Sequence, residues 1–251
     1  MAYADLMTPQ GETLKNPPWQ SYPRPQMKRE NYVNLNGVWD FTVSELSDLP
    51  DDYDQTILVP FCPESVLSGV KNHAPEGSFL FYRRQLDLVP QAGFRVLLHV
   101  GAADQTAEVY VNQKKIGTHI GGYESFCFDI TDALEGTNEL VIRVQDDLRN
   151  RAMPYGKQIM NPGGMWYTPV SGIWQTLWLE QVPQTHVETL DIQVTAETAT
   201  VTVTPALSGN VTCQGVDYPL TEGVAVITPE EPSARAWRKM ISCPPSWQPL
   251  P

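Results

Sequence analysis

The sequence predicts an all-β protein built as an antiparallel sandwich or jelly roll. Apolar and polar residues alternate with a period of two through residues 1–182, as they do in strands that bury one face. The 251 residues include 22 prolines, which suit short strands separated by loops. No window of about 12 residues carries an apolar stripe at the helical period. Crossover helices, which a parallel sheet requires, are therefore not predicted.

The clearest alternation lies in two neighbouring predicted strands, 94–100 and 107–111, where valine, leucine and alanine occupy every second position. Residues 112–115 form a connection short enough for a hairpin, and short helical turns are predicted at 63–69 and 131–134. The remaining strands of this region are predicted at 38–43, 56–59, 79–88, 126–130, 140–144 and 173–179.

One long stretch interrupts this rhythm. Residues 146–171 read DDLRNRAMPYGKQIMNPGGMWYTPVS and show no apolar periodicity. A loop of this length inside a compact domain is usually either functional or disordered. Its methionine, tyrosine, isoleucine and tryptophan side chains can pack, so the composition favours an ordered binding loop.

A second β-domain is predicted to begin after residue 183, where short Thr- and Val-rich runs appear at 186–194, 200–204, 211–216 and 224–228. Only 68 residues follow residue 183. A complete immunoglobulin-like sandwich takes roughly 100 residues. The last stretch, 229–251, is rich in proline and carries no strand pattern, so the second domain is predicted to be truncated.

Charge and cysteine usage restrict the partners. The net charge of −12 argues against nucleic acid and anionic membranes as partners and favours neutral or cationic ligands. The four cysteines form no C-x-x-C pair, which suits neither a zinc site nor a disulfide framework. No leader or membrane-spanning segment is recognisable, and a cytoplasmic location is predicted.

Most catalytic signatures are absent from the sequence. It contains no G-x-S-x-G elbow, phosphate-binding loop, G-x-G-x-x-G or H-E-x-x-H motif, and the four histidines are scattered. An acidic run at 40–54 leaves two interpretations open, a calcium site or, with more weight, a solvated loop. Neither a metal site nor a cofactor is predicted.

Several phrases, taken in order, resemble one known family. They are LNGVWDF at 35–41, VPFCPES at 59–65, FYRRQLDL at 81–88, GAADQTAEVYVN at 101–112, VYVNQKKIGTHIGGYESFCFDIT at 109–131 and WYTPVSGIWQTLWLE at 166–180. Together they resemble the N-terminal sugar-binding domain of glycoside hydrolase family 2, which includes β-galactosidases and β-glucuronidases. The resemblance covers about residues 30–182, and 184–228 is more weakly similar to the family's immunoglobulin-like second domain.

This resemblance implies a galactose-binding-like jelly roll beside a catalytic (β/α)8 barrel. It divides the chain into an N-terminal extension at 1–29, a sugar-binding jelly roll at 30–183, a partial immunoglobulin-like domain at 184–228 and an irregular tail at 229–251. Family members hydrolyse β-glycosidic bonds with retention through two glutamates on the barrel. The only Asn-Glu pair, Asn138 and Glu139, opens a predicted strand. No catalytic residue is therefore assigned.

The predicted function is that of the non-catalytic front part of a β-galactosidase- or β-glucuronidase-like enzyme, ending before the barrel. Its partners would be a β-linked sugar or glycoside and the barrel itself. One alternative is a free-standing carbohydrate-binding module. Another is a structural or assembly domain, with self-association into a homo-oligomer.

Candidate sugar-binding residues lie mainly in the long loop. Trp166 and Tyr167 would form an apolar wall for the sugar ring, while Lys157, Gln158 and Asn161 would hydrogen-bond its hydroxyls. For Trp166, packing is an equally weighted alternative. Asp104, in GAADQ, aligns with a position that contacts the sugar in β-galactosidases, where the family residue is often an amide.

Overall fold

Two structural units make up the protein in a computed structural model. The structure describes residues 7–24, 27, 29–148, 152–213, 215–228 and, as backbone alone, 246–249. The first unit takes in the described parts of Met1–Ser21 and Asn31–Val182, and the second those of Tyr22–Glu30 and Pro183–Pro251. Residues 22–30 are thus grouped with the second unit. The domain boundaries inferred from the sequence stay predictions.

Most regular secondary-structure elements of the first unit are short strands. Its helical elements are α1 (Pro9–Glu12) and two 3-10 turns at Val66–Ser68 and Thr131–Ala133, which match the predicted turns. None of the described helices is long and apolar enough to cross a membrane. The strands are β1 (Tyr32–Asn34), β2 (Gly37–Ser44), β3 (Gln55–Val59), β4 (Phe79–Leu86), β5 (Phe94–Val100), β6 (Ala103–Asp104), β7 (Thr106–Val111), β8 (Lys114–Ile120), β9 (Phe126–Asp129), β10 (Asn138–Gln145), β11 (Gly172–Ile173) and β12 (Leu177–Pro183).

These strands form a jelly-roll sandwich, which confirms the predicted all-β fold class. One sheet has six strands in the order β3-β2-β4-β10-β7-β8, and a second has four in the order β1-β12-β5-β9. A short two-stranded sheet joins β11 to β6. The described pairs are antiparallel, with β10 at the centre of the larger sheet between β4 and β7.

The core lies between the two large sheets. In β7 every second residue is buried, as the alternation predicted, and Val96, Leu98 and Val100 of β5 point into the same core. Phe41 and Tyr82 pack there with ring centroids 4.9 Å apart. Burying one side chain of this size contributes roughly 1.5–3 kcal/mol, so the alternating residues supply the main driving force for this fold.

One predicted strand is divided in two. The sequence predicted a continuous strand at 173–179, whereas the structure has β11 and β12 in different sheets. Between them, the Trp174 N–H donates to the Ala102 carbonyl and the Gly101 N–H donates to the Thr176 carbonyl. These two hydrogen bonds hold the segment that connects β11 in one sheet to β12 in the other. The prediction was wrong here because an apolar run does not reveal a change of hydrogen-bonding partner.

The second unit is a smaller β-structure with its own core. Its strands are β13 (Thr189–Val194), β14 (Ala199–Thr204), β15 (Gly209–Cys213), β16 (Val216–Leu220), β17 (Val224–Ile227) and β18 (Ser246–Pro249). They form two three-stranded sheets, β13-β14-β17 and β16-β15-β18. Val201, Val211 and Ile227 are among the buried residues that fill its core.

The tail differs from its prediction in one short stretch. Residues 229–251 were predicted to be irregular, but β18 pairs antiparallel with β15 along Gly209–Thr212. Within the tail, residues 229–245 and 250–251 lie outside the described part. The edge of β15 offers backbone donors and acceptors to any extended segment, so pairing there needs no alternating sequence.

Candidate functional site

Three carboxyl groups from separate parts of the first unit form the candidate site. Glu64 follows β3, Asp104 ends β6, and Asp146 follows β10 directly. The Glu64 side chain is only 6% exposed, Asp104 is buried, and Asp146 is half-buried. Carboxyl groups are rarely removed from water in this way unless they have a partner or a function.

Glu64 holds the end of the long loop. The Ser171 hydroxyl donates to Glu64 Oε1 at 2.7 Å, and the Ser171 N–H donates to Oε2 at 3.2 Å. His73 Nδ1 lies 3.8 Å from the same carboxyl. Burial raises the pKa of Glu64, although the two bonds from Ser171 oppose that shift. Glu64 is therefore both a structural anchor and a poorly solvated acid.

The residues after Ser171 are fixed in register with the other parts of the site. Gly172 pairs with Asp104 across the two-stranded sheet, and the Ile173 N–H donates to the buried Tyr82 hydroxyl at 3.3 Å. Gly172 has a φ of +75°, and a Cβ there would overlap the Tyr82 hydroxyl. A side chain is therefore excluded at this position by space and by backbone conformation.

Asp104 is the least satisfied of the three acids. Its Oδ1 is buried and has no hydrogen-bond partner among the described residues. Its carboxyl lies directly against Gly122, where any Cβ would overlap it. Burial, followed by the charge of Glu64, raises the pKa of Asp104 from 3.8 to about 6.

Asp146 completes the cluster. Burial raises its pKa from 3.8 to about 7, and the charges of Asp104, Glu64 and Asp147 act in the same direction. The three acids thus repel one another, and their environment favours protonation or a hydrogen-bond donor from outside the cluster. These three groups are called the carboxyl cluster below.

The long loop is ordered through Gln158 over its described residues. The Val170 N–H donates to Gln158 Oε1 at 2.6 Å, and Gln158 Nε2 lies 3.5 Å from the Tyr123 hydroxyl. Backbone bonds reinforce this, since the Tyr167 N–H donates to the Lys157 carbonyl at 2.9 Å. The loop contains the short parallel bridge between Gln158 and Tyr167 that these bonds define.

The structure brings some predicted site residues together. Gln158 is buried, and Tyr167 beside it is 65% exposed. Trp166 is half-buried, whereas Lys157 and Asn161 are exposed. The link to the carboxyl cluster is Tyr123, because the charges of Asp104 and Asp146 reach its ring hydroxyl and help burial to raise its pKa.

Sequence reasoning missed Glu64, Asp146, Ser171 and Tyr123. Three of them stand in conspicuous places, since Glu64 lies in VPFCPES and Asp146 and Ser171 begin and end the long loop. Tyr123 lies in the GGYESF stretch that connects β8 to β9. Spacing along the chain gave no sign that these segments meet.

A small cavity lies beside the cluster. Its volume is about 20 Å³, and its lining includes Glu64, His73, Glu76, Asp146 and Ser171. A cavity needs roughly 10–15 Å³ to hold a water molecule, so this one has room for a single small polar group and not for a sugar ring.

Within the described part of the chain, no group of three or more His, Cys, Asp or Glu side chains is arranged to hold a metal ion. In the acidic run at 40–54, Asp40 instead accepts a hydrogen bond from Arg83 Nε at 3.0 Å. The described geometry therefore gives the calcium interpretation no support.

Comparison with known proteins shows which curated sequences the chain is similar to. A curated Formosa agariphila protein that carries the name of a β-glucuronidase is 27% identical over 180 residues, 69% of this chain and 21% of that protein. A β-galactosidase of Thermoanaerobacter pseudethanolicus is 28% identical over 164 residues, 62% of this chain and 21% of its own length.

Solved structures agree on the fold. The apo β-glucuronidase of Ruminococcus gnavus matches with a TM-score of 0.60 and 18% identity, over 84% of this chain and 41% of that one. The chain resembles the N-terminal region of the family 2 glycoside hydrolases. No protein-family model matches the sequence. The family 2 resemblance is partial in length, since the chain spans about a fifth of each of these curated relatives.

Proposed function

We propose that the first unit is the sugar-binding, non-catalytic part of a family 2 glycoside hydrolase-like protein. The observation that supports this most directly is the convergence of the long loop, Tyr123 and the carboxyl cluster on one region of the jelly roll. Carboxyl groups accept hydrogen bonds from sugar hydroxyls, and exposed aromatic rings cover the apolar face of a sugar. The relatives carry the names of β-glucuronidases and β-galactosidases, so the proposed ligand is a β-linked glycoside.

Within this proposal, the predicted site residues divide into two roles. Tyr167, Trp166, Lys157 and Asn161 are accessible enough to meet a ligand directly. Gln158 holds the loop in shape, since both ends of its amide face protein groups. Asp104 is buried, so it influences the ligand indirectly, through its charge and its place in the carboxyl cluster.

Catalysis would require a second component. The family resemblance implies a (β/α)8 barrel that provides the two reacting glutamates, and the proposal includes such a barrel as the partner of this unit. A cytoplasmic location and a homo-oligomeric state stay predictions of the sequence.

The proposal is tested by separating binding from turnover. The 251-residue chain should bind methyl β-galactoside in calorimetric titration with millimolar affinity and should not release nitrophenol from nitrophenyl β-glycosides. Tyr167→Ala should weaken the binding, whereas Tyr218→Ala, on β16 of the second unit, should leave it unchanged. The proposal would be contradicted if hydrolytic activity stayed with the chain through successive purification steps. It would also be contradicted if Tyr167→Ala bound the sugar as tightly as the wild type.

A further inference from the structure

The second unit has an open sheet edge along β13. This strand pairs with β14 over its whole length, and among the described strands it has no neighbour on its other side. Ile192 and Val194 of β13 are 43% and 46% exposed. Lysines protect some edge strands from further pairing, as Lys114 and Lys115 do on β8, but β13 contains neither lysine nor proline. The edge of β13 is therefore suited to accept another strand.

The apolar side chains of β13 lie on the core-facing side of its sheet. Three of them stand opposite buried residues of β14, in the pairs Leu190–Val203, Ile192–Val201 and Val194–Ala199. Opposite residues of two paired strands share one face of the sheet. Ile192 and Val194 thus belong to the core-facing side and still remain exposed at its rim. A strand added at this edge, with its own apolar side chains on the same face, would cover them.

Two backbone hydrogen bonds establish which residues of β13 bond to β14. At the turn that joins the two strands, the Thr195 N–H donates to the Thr198 carbonyl at 2.8 Å. On the other side of β14, the Val203 N–H donates to the Gly223 carbonyl at 2.8 Å, so Val203 bonds away from β13. Bonded pairs alternate with unbonded pairs along an antiparallel ladder. Both bonds therefore assign the odd-numbered residues of β13 to β14.

The even-numbered residues of β13 consequently direct their backbone groups to the open edge. These residues are Leu190, Ile192 and Val194, and each offers one N–H donor and one carbonyl acceptor. The polar residues Asp191 and Gln193 lie on the outer face, where Gln193 Nε2 donates to Asp191 Oδ2 at 3.0 Å. The edge thus presents backbone groups and apolar side chains at the same three positions.

We infer that β13 is a self-association edge, which pairs antiparallel with β13 of a second copy of this chain. The register that uses the whole strand places Ile192 opposite the partner's Ile192 on a two-fold axis, with Leu190 opposite the partner's Val194. It forms about six backbone hydrogen bonds, because three residues of each copy contribute a donor and an acceptor. It also continues the apolar face from one copy to the other.

The outer face selects this register over its neighbours. Asp191 stands opposite the partner's Gln193, so a carboxylate acceptor faces an amide donor. A shift of two residues in one direction places Asp191 opposite the partner's Asp191, and like charges directly opposite each other are destabilising. A shift of two residues in the other direction leaves Leu190 with no strand residue opposite it. A shift of one residue would move the apolar side chains to the outer face.

Sedimentation velocity of the complete 251-residue chain tests the inference. The chain should form a concentration-dependent dimer with a Kd in the micromolar range, because one strand edge makes a small interface. No larger species should form, since two-fold pairing occupies this edge of both copies. A monomer throughout the micromolar range, or a species larger than a dimer, overturns the inference.

Gln193 tests the register at an exposed position. Gln193→Lys would place an ammonium group opposite the partner's Asp191 and should tighten the dimer about threefold, whereas Gln193→Glu should weaken it about threefold. The controls are Val226→Lys and Val226→Glu, at an exposed position on β17 of the same sheet, and they should leave the Kd unchanged. Shifts in the same direction for both Gln193 variants, or equal shifts in the Val226 pair, overturn the inference.

Ile192→Pro tests the backbone pairing itself. The Ile192 N–H faces the open edge and not β14, so proline should be tolerated in the folded monomer. The Kd for dimerisation should rise about tenfold or more, because the two central hydrogen bonds are lost. Far-ultraviolet circular dichroism checks the fold, and the Gln193 variants decide the question if the proline variant does not fold. A folded Ile192→Pro variant that dimerises like the wild type overturns the inference.

Discussion

Two acidic regions of the jelly roll differ in how the described residues around them shift the pKa of their carboxyl groups. On β7, Glu108 lies 2.7 Å from Lys115 Nζ, contacts Arg143, and accepts a hydrogen bond from Tyr110 at 2.6 Å. Burial acts to raise the pKa of Glu108, but its hydrogen bonds with Lys115 and Tyr110 and the charge of Arg143 lower it overall.

In the carboxyl cluster the balance is reversed. Burial raises the pKa of Glu64, Asp104 and Asp146. Hydrogen bonds from Ser171 and the charge of His73 oppose this shift at Glu64, and a backbone hydrogen bond of Asp147 opposes it at Asp146. Paired charges on the sheet surface support the fold, whereas burial makes the three acids of the carboxyl cluster harder to ionise. One sandwich thus holds carboxyl groups in two different electrostatic environments.

The largest expected effect concerns the Ser171 hydroxyl, which donates to Glu64 of the carboxyl cluster. Ser171→Ala removes the donor to Glu64 Oε1 and should lower the free energy of unfolding by about 2 kcal/mol, because a buried carboxyl group loses its hydrogen bond. Urea unfolding at pH 7 measures this. Ser78→Ala is the control, since Ser78 donates to the neutral Pro75 carbonyl at 2.6 Å and should cost about half as much. Equal costs would remove the distinction between the two acceptors.

The second prediction uses pH to measure the cost of ionising Asp104, which burial and, to a smaller extent, the charge of Glu64 impose. The pKa of Asp104 is about 6 in the folded state against 3.8 for a free carboxyl, so the folded chain binds more protons and loses stability as pH rises from about 4 to about 6. Asp104→Asn should remove that loss. Relative to the wild type, it should be about 1.5 kcal/mol more stable at pH 8 and nearly equal at pH 4.

Urea unfolding across this pH range measures the difference. Asp48→Asn, at an exposed position in the acidic run, serves as the control and should show no such trend. A stability difference between Asp104→Asn and the wild type that is the same at every pH would show that ionisation of Asp104 does not destabilise the fold.

The smallest effect is expected in the region of paired charges around Glu108. It is a loss of stability, opposite in sign to the effect of Asp104→Asn. Glu108→Gln should lower the free energy of unfolding by about 1 kcal/mol at pH 7 because it weakens the contacts with Lys115 and Arg143. The pKa of Glu108 is lowered in the folded state, so its stabilisation is complete above the unfolded pKa of about 4.3 and disappears as pH falls through the folded value.

Thermal unfolding at pH 7 and pH 3 tests this sign, and the effect at pH 7 should shrink in about 1 M salt because charges are screened. The exposed Glu45→Gln change is the matched control and should be close to neutral. A Glu108→Gln variant that is more stable than the wild type at pH 7 would place Glu108 in the same class as the carboxyl cluster.

The sequence predicted the structure well where a residue's burial depends on the residues next to it along the chain. Alternation along β7 gave the buried face, because a strand places successive side chains on opposite sides. The long loop was also recognisable from its composition. The division of 173–179 between two sheets was not, because it depends on which distant backbone pairs with Trp174 and Thr176.

The candidate site was harder to predict for the same reason. Asp104 was chosen through a family resemblance, but its two acidic neighbours come from segments 40 or more residues away along the chain. Gln158 was predicted to contact the ligand, whereas the structure shows its amide bound to Val170 and near Tyr123. Composition indicates which residues can bond, and only the fold decides with which partner.

The position of Gln158 also separates the loop into a fixed base and a free tip. Residues 161–165 are exposed, and a Cβ added at Gly163 or Gly164 would meet no atom within 4 Å. The tip therefore has space for a side chain at Gly163, whereas Gly164, with a φ of +61°, favours glycine by its backbone conformation. The exposed tip thus offers an attachment point for a reporter group beside the ordered base of the loop.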